Sequence, residues 1–360
     1  MRIRSPLVTA ILSVIAAAIP ASASAQTIAI GHMAVTNQNE YVAQERGFYK
    51  KYGLNVELKL FQTGPNALQG LLSGDLQMVE AGGVPMLNLA AQNLPLYFLV
   101  SGGINSPKHP AGAIMIHPDN TSIKSFSDLK GKKLAGLPKG TITHVWLSNA
   151  VARYGMRRDD FQEVVVPFPQ MGGLLGSKQV DAVYAWPPFD TIIAKAGQGK
   201  ILANDSEWNP YAIINAMIVR RDWADKNPDV LRRLIKASIE TNRWINDNTE
   251  EAKEIIGKKL NLPEPVYRDM RMFYFPRNGY QLMPSIWEFY NLMVKTNELK
   301  PFADPKATIN TYWIEPGQKF ITPALAELGV VNDQVVKDVL KIQLPNLTGN
   351  LDQYLGPWER

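Results

Sequence analysis

Four histidines and no cysteine set the chemical limits of this 360-residue chain. His32, His109, His117 and His144 are scattered, with no pair at the helical spacing of a metal site and no Glu between two of them. The absence of cysteine removes thiol nucleophiles, Cys-based metal sites, disulfides and a lipid-modified anchor together. There is no Gly-x-Ser-x-Gly elbow and no phosphate loop ending in Gly-Lys-Ser or Gly-Lys-Thr. No catalytic set, metal or cofactor is therefore expected, and the chemistry left to consider is reversible binding.

Residues suited to binding cluster where a strand gives way to a helix. Lys133 to Leu137 reads as a strand, Pro138, Lys139 and Gly140 break it, and Leu147, Ala150, Val151 and Tyr154 recur at helical spacing up to Gly155. Thr141 or Thr143 would cap that helix, with His144 in its first turn. A helix start presents N–H groups without intrahelical partners and the positive end of the macrodipole, so an anionic group can dock there without a cationic side chain. Arg277, in the aromatic and basic loop Arg271 to Gly279, is a candidate cationic supplement from the opposite side of a cleft. Thr36 and Asn37 follow the first strand, where open α/β sheets place ligands, or they cap the next helix. Gly82 and Gly83 allow either a close backbone approach to a ligand or a tight turn. Trp186, at a strand end before Pro187 and Pro188, is either core or the wall of a pocket. His144 has two readings as well, a hydrogen-bonded first-turn residue or a ligand contact.

These positions need an alternating scaffold, and the hydrophobic pattern supplies one. Strands are expected at Thr27 to Ile30, Val56 to Phe61, Gln77 to Ala81 and Leu96 to Val100, with helices between them, which argues for a mostly parallel sheet. Ala113 to Ile116 leads into a second set, with strands at Lys133 to Leu137, Glu163 to Val166 and Asp181 to Ala185 and a short helix at Met171 to Ser177. Ala212 to Val219 is an apolar strand that could cross back. Helices follow from Pro228 to about Asn246, Glu250 to Leu260 and Pro284 to Lys295. The expected division is residues 26–112 with 217–360 as one lobe and 113–216 as the other. The stretch 341–360 has no clear period.

The first 25 residues carry Arg2 and Arg4, an apolar run from Leu7 to Ile19, and Ala23-Ser24-Ala25, the pattern of a cleavable export signal. The mature chain is expected to begin at Gln26 and to reside in the periplasm. The formal charge is +5, of which Arg2 and Arg4 contribute two. With no long block of like charge and no basic stripe interleaved with aromatics, nucleic acid is not an expected partner.

Several further stretches, in this order along the chain, resemble one family. They are Glu45-Arg46-Gly47-Phe48-Tyr49-Lys50-Lys51-Tyr52-Gly53-Leu54, Gly64-Pro65, Leu71-Leu72-Ser73-Gly74-Asp75, Gly82-Gly83-Val84-Pro85, Asp128-Leu129-Lys130-Gly131-Lys132-Lys133, Gly140-Thr141, and Val180-Asp181-Ala182 with Trp186. The chain resembles the periplasmic substrate-binding proteins of ABC importers of the nitrate, sulfonate and taurine type, the NMT1/THI5-like group. The resemblance implies a type II periplasmic binding fold, α/β and two-lobed, with a small molecule in the cleft. It implies ligand contacts at Thr36, Asn37, Gly82, Gly83, Gly140 to Thr143 and Trp186. The implied partners are a small anionic ligand, an ABC permease and its ATPase, with the binding protein itself a monomer. The sulfonate branch commonly carries Trp-Asp-Pro where this chain has Trp186-Pro187-Pro188. That carboxylate is absent, and the aromatics Trp146, Phe168, Tyr184, Phe189, Phe273 and Tyr274 also suit a flat or partly apolar organic acid. Two other readings remain. Enzymes that resemble this family, sulfinate desulfinases and pyrimidine-forming proteins, rely on cysteine, which this chain lacks, and a ligand carrier for a periplasmic sensor would differ only in its partner.

Overall fold

A computed structural model describes residues 27–33, 39–61 and 64–331. The expected export signal, the candidates Thr36 and Asn37, and the segment 341–360 lie outside the described residues. The first unit runs β1 (Thr27–Met33), α1 (Glu40–Glu45), α2 (Phe48–Lys51), β2 (Asn55–Phe61), α3 (Gly64–Ser73), β3 (Met78–Gly82), α4 (Gly83–Ala91) and β4 (Leu96–Ile104). The second runs β5 (Ala113–Ile116), β6 (Lys133–Gly136), α5 (Ile142–Arg153), β7 (Gln162–Val165), α6 (Phe168–Gly176), β8 (Ala182–Ala185), α7 (Phe189–Lys195) and β9 (Lys200–Asn204). The chain then returns through β10 (Ile213–Arg220), α8 (Arg221–Lys226), α9 (Pro228–Asp247), α10 (Thr249–Lys259), α11 (Glu264–Asp269), α12 (Met283–Lys295), α13 (Pro305–Ile309) and α14 (Thr322–Glu327).

The strands form two five-stranded sheets, ordered β2-β1-β3-β10-β4 and β7-β6-β8-β5-β9. Each is mixed, which corrects the expectation of a mostly parallel sheet. β1 pairs in parallel with β2 and β3, while β10 runs antiparallel to both β3 and β4. In the second sheet β6 is parallel to β7 and β8, and β5 is antiparallel to β8 and β9. The antiparallel strands are those next to the two crossings, residues 105–112 and 205–212, because a chain that leaves one sheet and re-enters it from the other must reverse direction. A lobe boundary at Ala216/Met217 falls inside β10, which belongs whole to the first sheet from Ile213 onward.

The expected elements appear with ends shifted by a few residues, and α2, β9, α8, α11, α13 and α14 were not foreseen. The short helix expected at Met171 begins earlier, at Phe168, where Pro169 fits the first turn. Buried on both faces, β1 reads as a nearly continuous apolar run. Its Ile28 and Ile30 face α9, whose Leu231, Leu234, Ile235 and Ile239 recur at helical spacing, while Ala29 faces the cluster with α3 and α4. One apolar cluster continues across both units, from Val84 and Met86 through Phe289 to Ile114, Trp146 and Trp186.

Candidate functional site

Two helix starts, one from each unit, meet between the sheets. α4 begins directly at the end of β3, with Gly82 as its N-cap at φ −73° and ψ 169°. That is ordinary extended backbone, so a turn requiring positive φ is not why glycine stands here. A Cβ added at Gly82 would lie 3.3 Å from the Ile214 carbonyl oxygen and 4.0 Å from Cβ of Ile142, the first residue of α5. Thr141 is the N-cap of α5. Its hydroxyl donates to the Pro138 carbonyl at 2.8 Å and lies 3.2 Å from that of Thr143, while its oxygen accepts from the His144 N–H at 3.4 Å, a weak cap. The N–H groups of Ile142 and Thr143, at the positive end of a 12-residue helix, have no acceptor within the helix itself.

The other sequence candidates separate by role. Gly140 is exposed and has φ +87°, so the left-handed turn out of β6 is sufficient reason for glycine. Gly83 is explained by packing, since a Cβ there would come within 2.4 Å of the Phe289 ring on α12. Trp186 is 6 % exposed, its ring 5.4 Å from Trp146 and 6.0 Å from Phe273, and its indole lies against Gly112 in the first crossing. Among the described residues the Trp146 indole N–H is buried without a hydrogen-bond acceptor, and that of Trp186 is buried beside the Tyr184 hydroxyl. Arg277 binds Asp247, at the end of α9, through both terminal nitrogens at 2.6 and 3.2 Å. Its charge is thus answered by a carboxylate on α9.

His144 is engaged at both ring nitrogens. Nε2 is 3.1 Å from Glu298 and Nδ1 is 3.0 Å from the Arg158 guanidinium, which itself binds Glu163. Arg158 can only donate, so Nδ1 accepts and Nε2 carries the proton given to Glu298. Burial first, then the Arg158 charge, lowers the imidazole pKa against the opposing pull of Glu298 and Glu163.

Sequence reasoning passed over the buried carboxyls. Glu40 opens α1, two residues beyond the stretch holding Thr36 and Asn37, and Glu80 lies on β3 two residues before Gly82; each is 1 % exposed. The Glu40 carboxyl is buried beside that of Glu80 and near its own main-chain N–H, and Glu80 also accepts from the Asn215 amide at 2.5 Å. Desolvation pushes Glu40 up to about 7, and desolvation reinforced by the Glu40 charge drives Glu80 well above the usual carboxylate range. A third, Asp205 in the second crossing, accepts from the Tyr184 hydroxyl at 2.9 Å and is pushed by burial to about 7. No periodicity announces an isolated Glu inside an apolar strand as half of a pair, although Glu80 interrupting Met78-Val79 and Ala81 was a visible signal. Among the described residues no group of three or more His, Cys, Asp or Glu could hold a metal ion, and no helix is long and apolar enough to cross a membrane.

Two α/β units joined by two crossings, with helix starts facing each other between them, define a binding-protein architecture. The chain belongs to the NMT1-like family, which matches residues 21–258. Among its relatives is a protein of Brucella abortus described only as a binding protein, 28 % identical over 61 % of this chain and 67 % of its own length. Another is the taurine-binding periplasmic protein of Escherichia coli, 24 % identical over 61 % of this chain and 67 % of that one. In fold the chain is similar to the periplasmic nitrate-binding protein of Synechocystis, with a TM-score of 0.70 at 20 % identity covering 84 % of this chain and 89 % of that one. These relatives are binding proteins, and the fold is that of periplasmic binding proteins.

Proposed function

We propose that this protein is the periplasmic solute-binding component of an ABC importer, capturing a small organic anion, a sulfonate or an aromatic or other carboxylate, and delivering it to a membrane permease and its ATPase. The observation that carries this reading is the approach of the α4 and α5 starts, with Gly82 opposite Ile142. An anionic head group bound there takes its hydrogen bonds from main-chain N–H groups and its charge stabilisation from the helix dipole, without a dedicated cation. The neighbouring aromatics, Trp186 with Phe273 and Trp146 behind it, offer a flat apolar wall to the rest of the molecule. The relatives that bind taurine and nitrate support an anion, and the lack of an acid after Trp186 supports a ligand without taurine's ammonium group.

Gly82→Ala is the direct test. Its backbone conformation accepts alanine, and the added methyl enters the gap between the two helix starts with a close 3.3 Å approach to the Ile214 carbonyl oxygen, so the variant should fold with a small local adjustment, checked by its ligand-free melt. Thermal melts are run with a panel of alkanesulfonates, taurine, nitrate, benzoates and aliphatic carboxylates. A ligand at ~100 times its Kd stabilises the parent by ~2.7 kcal/mol, and Gly82→Ala should lose most of that shift. An unchanged shift in the variant moves the site away from these helix starts.

A further inference from the structure

We propose that Glu298 is a latch that holds the two units together across the open side of the cleft, with His144 and Lys139 as its catch. Glu298 follows α12, and the chain beyond it is anchored to the first sheet: Tyr312 donates to the Leu94 carbonyl at 2.8 Å and stacks on Phe98 of β4 at 5.4 Å. Its partners belong to the second unit. His144 Nε2 donates to the Glu298 carboxylate at 3.1 Å, and Lys139 Nζ lies 3.9 Å from the other oxygen. The Glu298 side chain is only 8 % exposed, so its charge is largely removed from water and depends on these two donors.

The position of the contact gives it leverage. The crossings join the second sheet at β5 and β9, the last two strands on one side, whereas His144 and Lys139 follow β6, two strands from β5 and three from β9. At the usual strand spacing this is ~10–14 Å. A second tie lies on the crossing side, where Arg271 binds Asp190 on α7 and Asn204 at the end of β9. A rotation about the crossings leaves that tie nearly in place and separates Glu298 from His144. Between the two, α12 is seated on the first unit by Phe289 against Gly83 and by Ser285, whose hydroxyl oxygen accepts from the Ile213 N–H at 2.9 Å. The Glu298 carboxylate is thus carried by a rigid segment. On the other side, Arg158 and Glu163 fix the His144 ring so that Nε2 faces Glu298.

The consequence is a receptor biased toward closure before any solute arrives. A preformed closed state lowers the conformational cost of capture, since apparent affinity scales with the population competent to bind. The inference does not depend on which solute is bound, because the contact joins only the chain's own residues.

The absence of cysteine makes the test clean. Gln69→Cys on α3 and Gln170→Cys on α6, both exposed, place one spin label on each unit, and the interlabel distance distribution is measured by electron–electron double resonance without ligand. Glu298→Ala should shift the open-to-closed ratio about tenfold toward longer distances, as expected for losing a hydrogen bond to a charged group. Glu298→Gln, which keeps an acceptor for His144, should restore most of the short-distance population, and Lys300→Ala, an exposed neighbour, should change nothing. Circular dichroism confirms folding, and if Glu298→Ala does not fold, Glu298→Gln against Lys139→Ala replaces it, each expected to show a smaller shift in the same direction. Identical distributions for the parent and every Glu298 and Lys139 variant overturn the latch.

Discussion

At the scale of single residues, three buried carboxyls with raised pKa values, Glu40, Glu80 and Asp205, have no cation at hydrogen-bond distance among the described residues. The Glu40–Glu80 pair is the sharpest case, since two neighbouring carboxyls in a desolvated site cannot both ionise without strong repulsion. Its sign with pH follows directly. In the unfolded chain both groups lose protons near 4.5, while in the folded protein Glu40 holds its proton to about 7 and Glu80 is likewise raised well above the usual carboxylate range. The folded state therefore binds more protons across this window, and the contribution of the pair to stability, complete below pH 4.5, is lost as pH rises through about 7. Glu80→Gln, which stays neutral, should gain stability relative to the parent between pH 5 and pH 8 in urea titrations. A parent-to-variant difference that is flat with pH excludes the raised pKa values. A second prediction concerns Gly112, where a Cβ would stand 2.1 Å from the Trp186 ring and 2.9 Å from the Asp205 carboxylate. Gly112→Ala should cost ~1–3 kcal/mol through overpacking and quench or shift tryptophan fluorescence as the ring is displaced; unaltered stability and emission would show that the Trp186 wall is loosely held.

At the scale of elements, α5 is the helix on which the site depends most. Its N-cap bond from the His144 N–H is long, at 3.4 Å, so Thr141→Ala should destabilise by only ~0.5–1 kcal/mol in denaturant melts. A loss above ~2 kcal/mol would mean that the Thr141 hydroxyl, through Pro138, organises the entire turn out of β6. Much of this helix was legible in the sequence. Gly140 and Thr141 mark its start, Gly155 its end, and the apolar residues between them give its buried face, because caps and periodicity are local signals. The same locality explains what stayed hidden. β9 lies at a sheet edge with Ile201 exposed and carries a weak apolar pattern, and the reversal of β5 and β10 is decided by how the chain re-enters each sheet. Gly83 read as a possible ligand contact because nothing nearby in sequence announces Phe289, some two hundred residues on. Arg277 read as a cationic supplement because nothing in the sequence marks Asp247, 30 residues earlier, as its partner, and His144 read as a ligand contact or a hydrogen-bonded residue without a named partner because Glu298 is 154 residues away. Helix starts could be read from the sequence, but long-range partners could not.

At the scale of the molecule, two mixed sheets share one apolar cluster, and two crossings, both joined to the last two strands on one side of each sheet, leave the opposite side free to open. The returning segment, residues 264–298, touches the second unit near the crossings through Lys195 with Asp269 and Arg271 with Asp190, and at the far rim through Glu298. Hinge closure about the two crossings is the motion this account predicts, with the shared apolar cluster near them kept in contact. The charges near the cleft are answered by the chain itself: Arg158 by Glu163, Arg271 by Asp190 and Arg277 by Asp247. Anion preference in this account therefore comes from main-chain N–H groups and the α5 dipole. The measurement that bears most directly on it is isothermal titration calorimetry with matched pairs, each the best organic anion of the thermal panel and its uncharged amide or alcohol counterpart. The account predicts 1:1 binding of the anion, with the neutral counterpart at least tenfold weaker, the equivalent of ~1.4 kcal/mol. Equal affinity for the two members of each pair, or no heat with any anion, would contradict it.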